Sequence, residues 1–326
     1  MGRIKIQAVP AARFPVILNN CAAARPRLRC ARLRLGRIID RLQARPLILS
    51  LKRAAKRQLY QSKKWWRTTF HAFSPSDLTE AVISLGIETG DIVLAHIAYN
   101  QFLGFTGQPS DVLGSLRSAV SQSGTLLMPS MPFTGSALEY VQSGPMFDVR
   151  RTPSQMGLVT ELFRRSPGTI RSLHPTHPVL ANGPRASELI RDHPLAKTPC
   201  GRHSPFAKLV EKDAKIALLG TGIGAMTFYH HLEEVLESLL PESPFTKESF
   251  DVAFRGYDGE MMHITTRLYD PVLSGRRRLG NIEQELKRRG AWRERIVGCV
   301  SVVVLEARVV SEAVRAMAER GTHCYV

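Results

Sequence analysis

Six of the chain's ten histidines fall between Asp148 and Glu233: His174, His177, His193, His203, His230 and His231. They sit in polar turns that read R-S-L-H-P-T-H-P, D-H-P-L, G-R-H-S-P and T-F-Y-H-H-L-E-E. Imidazole titrates near neutral pH, so such a cluster is suited to proton transfer or to metal ligation. Spacing argues against metal. Pro175 keeps His174 and His177 off a continuous helix, and adjacent His230 and His231 on a helix point about 100° apart. There is no H-E-x-x-H set and no G-x-S-x-G elbow for a nucleophilic serine. A histidine general base remains. His193, in Asp192-His193-Pro194-Leu195, follows a helical stretch where a turn can aim its ring into a cleft. Glu233 can orient it and stabilise its charged form. Base plus orienting carboxylate is the dyad that activation of an amine or hydroxyl requires.

The elements that would position these groups have βαβ rhythm. Ser74-Pro75-Ser76-Asp77 opens a helix with apolar positions Leu78, Ala81, Val82 and Leu85, and Gly86 is placed to end it. Ile92 to Ile97 reads as a strand buried on both faces, 110–122 as a helix and Thr125 to Met131 as a second strand. Residues 132–153 are irregular, and Ser154 is expected to cap a helix through Arg165. Short apolar runs predict strands at Val179 to Ala181 and Lys215 to Gly220, with a helix between Pro184 and Arg191. Gly220 to Gly224 (G-T-G-I-G) is not the spacing of a dinucleotide fingerprint, but backbone amides there suit a phosphate or polar ligand. The helix that follows, Tyr229 to Leu240, carries His230 and Glu233. Beyond residue 249 the pattern turns antiparallel. Tyr257-Asp258-Gly259 lies between strand-like runs at 250–254 and 261–266, a basic turn follows at Arg276 to Arg278, then a helix at 281–289, a strand from Val297 to Leu305 and a helix at 311–320. This is an α/β fold with a smaller C-terminal antiparallel α+β portion and sites at the C-terminal ends of strands.

Net charge is +17, with 45 Lys/Arg against 28 Asp/Glu. Residues 1–70 hold 18 of those bases and a single acid, Asp40, leaving 27 of each sign in residues 71–326. The folded portion is therefore balanced, and its charge gives no ground for a nucleic-acid role. The basic tail divides into a Pro- and Arg-rich stretch, 1–30, and a segment over 31–67 that mixes Leu and Ile with Arg and Lys and ends on Trp65 and Trp66. A solvated tail, a transit-peptide-like leader, and a peripheral membrane or protein contact through 31–67 are the readings that this composition allows. No apolar run approaches the ~18 residues of a spanning helix. Five dispersed cysteines (Cys21, Cys30, Cys200, Cys299, Cys324), without a C-x-x-C pair, fit a reducing cytoplasmic compartment.

Several motifs occur in one order: G-x-x-x-G-D-I-V-L-x-H, F-D-x-x-x-T-P-S-x-x-G, R-S-x-H-P-x-H, D-H-P-L, G-x-x-S-P-x-x-K-L, K-I-A-L-L-G and T-x-x-H-H-x-E. Over roughly residues 74–326 the chain resembles the aminoglycoside N(3)-acetyltransferase family. The resemblance implies a three-layer αβα sandwich with a mixed sheet, and direct acetyl transfer from acetyl-CoA to an amine of an aminoglycoside or other amino sugar, with no metal. By position it implies His193 as base, Glu233 as its polarising partner or as a holder of the amine, and His174 as support. Asp148 and His230 would line the acceptor side. The coenzyme side would use His96, Ile97, Ala98, Tyr99, Ser154 and Thr227, with donors near Thr227 for the oxyanion. The chain departs from the family where His96-Ile97-Ala98-Tyr99 replaces H-S-S-L or H-V-S-L, so a hydroxyl expected beside the coenzyme is missing at Ala98. Pro178 likewise stands where many members have serine. The alternative of another class is a non-catalytic relative tethered to a membrane or complex by the basic tail. Oligomeric state is not legible.

Overall fold

The computed structural model describes residues 71–325 without a break and a scatter of residues between 52 and 70. The stretch 1–30 lies outside the described residues, and the amphipathic segment 31–67 almost wholly so.

Ser74 starts the first helix as its sequence dictates. Its Oγ accepts the Asp77 N–H while the Asp77 carboxylate accepts the Ser74 N–H at 2.7 Å, a reciprocal cap. Helix α1 (Pro75–Ser84) then buries Leu78, Ala81 and Val82. The central strands follow: β1 (Ile92–Ile97), helix α2 (Pro109–Val120) and β2 (Thr125–Pro129). The stretch read as irregular contains a short helix, α3 (Ala137–Gln142), and a two-residue strand, β3 (Phe147–Asp148). Next come α4 (Leu158–Arg164), β4 (Ile170–Arg171), β5 (Val179–Asn182), α5 (Ala186–Ile190), α6 (Pro205–Glu211), β6 (Lys215–Leu219) and α7 (Phe228–Val235). The chain ends with a hairpin of β7 (Phe245–Arg255) and β8 (Met261–Tyr269), helices α8 (Pro271–Arg276) and α9 (Gly280–Arg288), strands β9 (Arg293–Val297) and β10 (Val300–Glu306), and α10 (Ala307–Glu319).

Seven strands form one mixed sheet in the order β4-β5-β2-β1-β6-β10-β9. β1 runs parallel to both β2 and β6, and the outer strands are antiparallel to their neighbours. Alternation along β1 and β6 sends Ile92, Leu94, Ile216 and Leu218 to one face, packed under α5, α6, α7, α9 and α10. Val93, Ala95, Ala217 and Leu219 go to the other face, under α1, α2 and α4. The result is a sandwich of three layers. A second sheet of order β3-β7-β8 carries its own small core of Phe147, Val149, Phe254 and Ile264. It is tied to the main sheet by Tyr257 at the hairpin tip, whose hydroxyl accepts the Arg171 N–H at 2.6 Å and donates to the Arg171 carbonyl at 2.9 Å.

Two local expectations change. The helix placed after Ser154 begins at Leu158 instead, with Gly157 before it at φ +105°. Ser154 is held by the first turn of that helix, its N–H donating to the Glu161 carboxylate at 3.0 Å. Val297 to Leu305 is two strands, not one. Gly298, at φ +59°, turns β9 into β10, a backbone conformation that glycine adopts without strain. That last hairpin returns to the edge of the main sheet.

Candidate active site

Two cavities open where β1, β2 and β6 end. The larger, about 800 Å³, is bounded by the β1 loop (His96, Ile97, Ala98, Tyr99), the approach to α4 (Gln155 to Leu158) and the stretch before α7 (Thr221 to Thr227). The second, about 550 Å³, is lined by the 131–139 loop, His177, Tyr269 and α8. Four residues line both: Met131, Met156, His230 and Arg277. Any group passed from one cavity to the other meets these four.

His230 is held by a buried carboxylate. It lies on the first turn of α7, and its Nδ1 is 3.1 Å from Glu233 Oε2, one helical turn on. The Glu233 side chain is fully buried, with Arg277 on the same carboxylate (Nη2 to Oε2, 2.8 Å) and the Tyr325 hydroxyl as a third donor. Burial alone would raise its pKa, but His230, Arg277 and Tyr325 outweigh burial and hold the carboxyl below its usual range. An ionised carboxylate at Nδ1 fixes the proton there and leaves Nε2 as an acceptor. Burial, only partly opposed by Glu233, lowers the His230 pKa, so the ring is neutral at neutral pH. The ring lies against Tyr269, centroids 4.4 Å apart, which stacks in turn on Phe245 at 5.2 Å. Next to it in helix order, His231 is turned to the core, its Nδ1 on the Cys200 carbonyl at 2.8 Å.

His96 ties β1 to the start of α7. The Thr227 N–H donates to its Nε2 at 3.1 Å, and burial lowers its pKa to about 4, so it serves as a neutral acceptor. This leaves the Thr227 hydroxyl, on the wall of the larger cavity, within 3.3 Å of the same nitrogen.

The remaining expected residues lie elsewhere. His193 is fully buried and has no free nitrogen. Its Nε2 faces the Pro199 carbonyl at 2.9 Å, its Nδ1 faces Ser172 Oγ at 2.7 Å, and burial lowers its pKa to about 4. It holds the 192–200 turn and lines neither cavity, so the geometry does not bring the ring expected as a base to a cavity wall. His174, also fully buried, stacks on it at 4.6 Å and accepts the His177 N–H with Nδ1 at 3.2 Å; it too is a packing group. Asp148 lines neither cavity, because its Oδ1 accepts the N–H groups of Arg150 and Arg151, each at 2.9 Å. Ser154 stands behind the wall of the larger cavity, with its Oγ accepting the Met156 N–H at 3.3 Å. Ile97, Ala98 and Tyr99 do line that cavity.

Sequence reasoning missed Arg277, His177, Tyr269 and Tyr325. Arg277 was one of three successive arginines, and nothing in the triplet marks which one turns inward. His177 was visible in H-P-T-H, where only the fold decides which histidine faces the cavity. No group of three or more His, Cys, Asp or Glu able to hold a metal occurs among the described residues. No helix among them is long and apolar enough to cross a membrane.

Comparison with known proteins identifies the family. A family model for aminoglycoside 3-N-acetyltransferase matches residues 94–319. Aminoglycoside N(3)-acetyltransferase III of Acinetobacter baumannii is 30% identical over 206 residues, 59% of this chain and 70% of that protein. Among solved structures, aminoglycoside acetyltransferase AAC(3)-Xa superposes with a TM-score of 0.68 at 25% identity, covering 81% of this chain and 99% of its own. AAC-IIIb in its binary complex with CoASH gives 0.64 at 23% identity, with 78% and 99% covered. The chain is an acetyltransferase and belongs to the aminoglycoside 3-N-acetyltransferase family.

Proposed function

We propose that this protein moves the acetyl group of acetyl-CoA, bound in the larger cavity, to an amine of an amino sugar bound in the second, the aminoglycosides being the class for which the family is named. The observation that carries this reading is His230 in the wall common to both cavities, with its Nδ1 engaged by the buried Glu233 carboxylate behind it and its Nε2 free.

The chemistry follows from that placement. A neutral amine nitrogen attacks the thioester carbonyl carbon, the C–N bond forms, and the carbonyl oxygen takes up negative charge. His230 Nε2 accepts the amine proton, and the imidazolium is stabilised by the Glu233 carboxylate. Collapse of the tetrahedral intermediate breaks the C–S bond, and the proton passes to the departing thiolate sulfur. The Thr227 hydroxyl, on the wall of the larger cavity at the start of the helix that carries His230, is the donor assigned to the oxyanion, since His96 already holds the Thr227 N–H. Arg277 keeps Glu233 ionised.

The test is release of CoA thiol from acetyl-CoA with a panel of amino sugars and aminoglycosides. Release that depends on an amine acceptor is the expected result. A panel without any turnover, together with no rise in melting temperature on adding CoA, would remove the reading.

A further inference from the structure

The second cavity is poor in the charge that a polycation needs. Of its lining residues one is acidic, Glu139, on the exposed face of α3, and it already caps that helix through the Ser136 N–H at 3.3 Å. The opposite wall presents Arg277, a cation, whose counter-charge on Glu233 is buried behind it. The nearby acids are already engaged: Glu234 accepts the Tyr269 and Thr198 hydroxyls and the Cys200 N–H, the last at 2.9 Å. Asp270 accepts the Val272 and Leu273 N–H groups at 2.7 and 3.0 Å, and Asp148 caps the Arg150–Arg151 turn. Much of the remaining surface is apolar or aromatic: Met131, Met156, Phe133, His177 and Tyr269. Aminoglycosides carry several ammonium groups, and each one without a carboxylate partner loses hydration on entry with little return.

Resting on the transfer reading above, we propose that the acceptor is an amino sugar or related amine of low positive charge, one ammonium besides the reacting nitrogen at most. It would be recognised by packing of its carbon face on Phe133, Tyr269 and the two methionines, not by a field of carboxylates.

The experiment compares kcat/KM in the thiol-release assay for methyl and phenyl glucosaminide with that for kanamycin and sisomicin, at low and high NaCl. The proposal expects the better singly charged acceptor to exceed the better polycation by about tenfold or more, with little salt dependence. It also expects Thr134→Asp, which adds a carboxylate to the exposed cavity rim, to raise kcat/KM for kanamycin several-fold relative to that for the glucosaminides. A polycation preferred by the parent enzyme, at a rate that falls steeply with salt, overturns this proposal and leaves the transfer reading intact. No turnover of any acceptor overturns this proposal, and overturns the transfer reading as well when CoA also fails to raise the melting temperature.

Discussion

At the residue scale, the site turns on which of several histidines keeps a free nitrogen in an accessible wall. His193 has none and His230 has one, so the two should respond oppositely to mutation. His230→Asn is expected to lower kcat by about 10²-fold or more, the usual scale for loss of a general base, with the melting temperature little changed. Measuring kcat and KM for acetyl-CoA separately checks this, and near-parental kcat would move the base elsewhere. His193 has a different signature, in stability. A neutral buried histidine with a folded pKa of about 4, against about 6.5 in the unfolded chain, leaves the unfolded state binding more protons between those values. Stability is therefore complete above about pH 6.5 and falls as pH drops toward 4, by up to about 3 kcal/mol for one such group. Denaturant unfolding across that window should show a flatter slope for His193→Gln than for the parent, and an unchanged slope would refute the assignment. The D-H-P-L turn looked like a base-bearing loop because sequence shows a turn and a polar ring but not what the ring meets. The H-H pair was more informative than it looked: helical geometry separates the two by about 100°, so one had to face away from the core if the other faced it.

At the scale of elements, the sequence was most legible where one local rule decides the outcome. The reciprocal Ser74–Asp77 cap and the burial of Ile92 to Ala95 on both faces of the sheet follow from the local order of residues. Legibility fails where tertiary partners decide. Ser154 has the chemistry of a cap, but Glu161 takes its N–H and the helix starts after Gly157. Gly157 itself sits on the wall of the larger cavity with φ +105° and ψ 170°, a region that is essentially glycine's alone. Gly157→Ala is thus expected to destabilise the fold by about 1–3 kcal/mol, or to shift the loop and raise KM for acetyl-CoA. Unfolding midpoints and initial rates separate these outcomes, and a variant unchanged in both would show that the loop tolerates a side chain. The β1–α7 tie makes a second case. His96→Ala leaves the buried Thr227 N–H without its acceptor, which costs about 1–3 kcal/mol, and it loosens the residue proposed as the oxyanion donor. Lower kcat at parental KM for the acceptor, measured by thiol release, is the expected pattern.

At the scale of the molecule, the three-layer sandwich places two cavities at one end of the sheet with a thin wall between them. That layout constrains kinetics as well as binding. The four residues common to both cavities are Met131, Met156, His230 and Arg277, none of which bears a hydroxyl or a thiol. The described cysteines line neither cavity, and burial raises the Cys200 thiol well above its ordinary pKa. No hydroxyl or thiol among the shared residues can then carry an acetyl group across the wall, and on the reading proposed above the amine reaches the thioester while both substrates are bound, acylation of the His230 ring being the competing course. Initial velocities with both substrates varied should give intersecting double-reciprocal lines, since a covalent acetyl-enzyme would give parallel lines. Intact-protein mass spectrometry after incubation with acetyl-CoA alone supplies the direct check. No mass gain of one acetyl group is expected, and a stoichiometric adduct that is discharged by an amine acceptor would show that transfer proceeds in two steps through the protein.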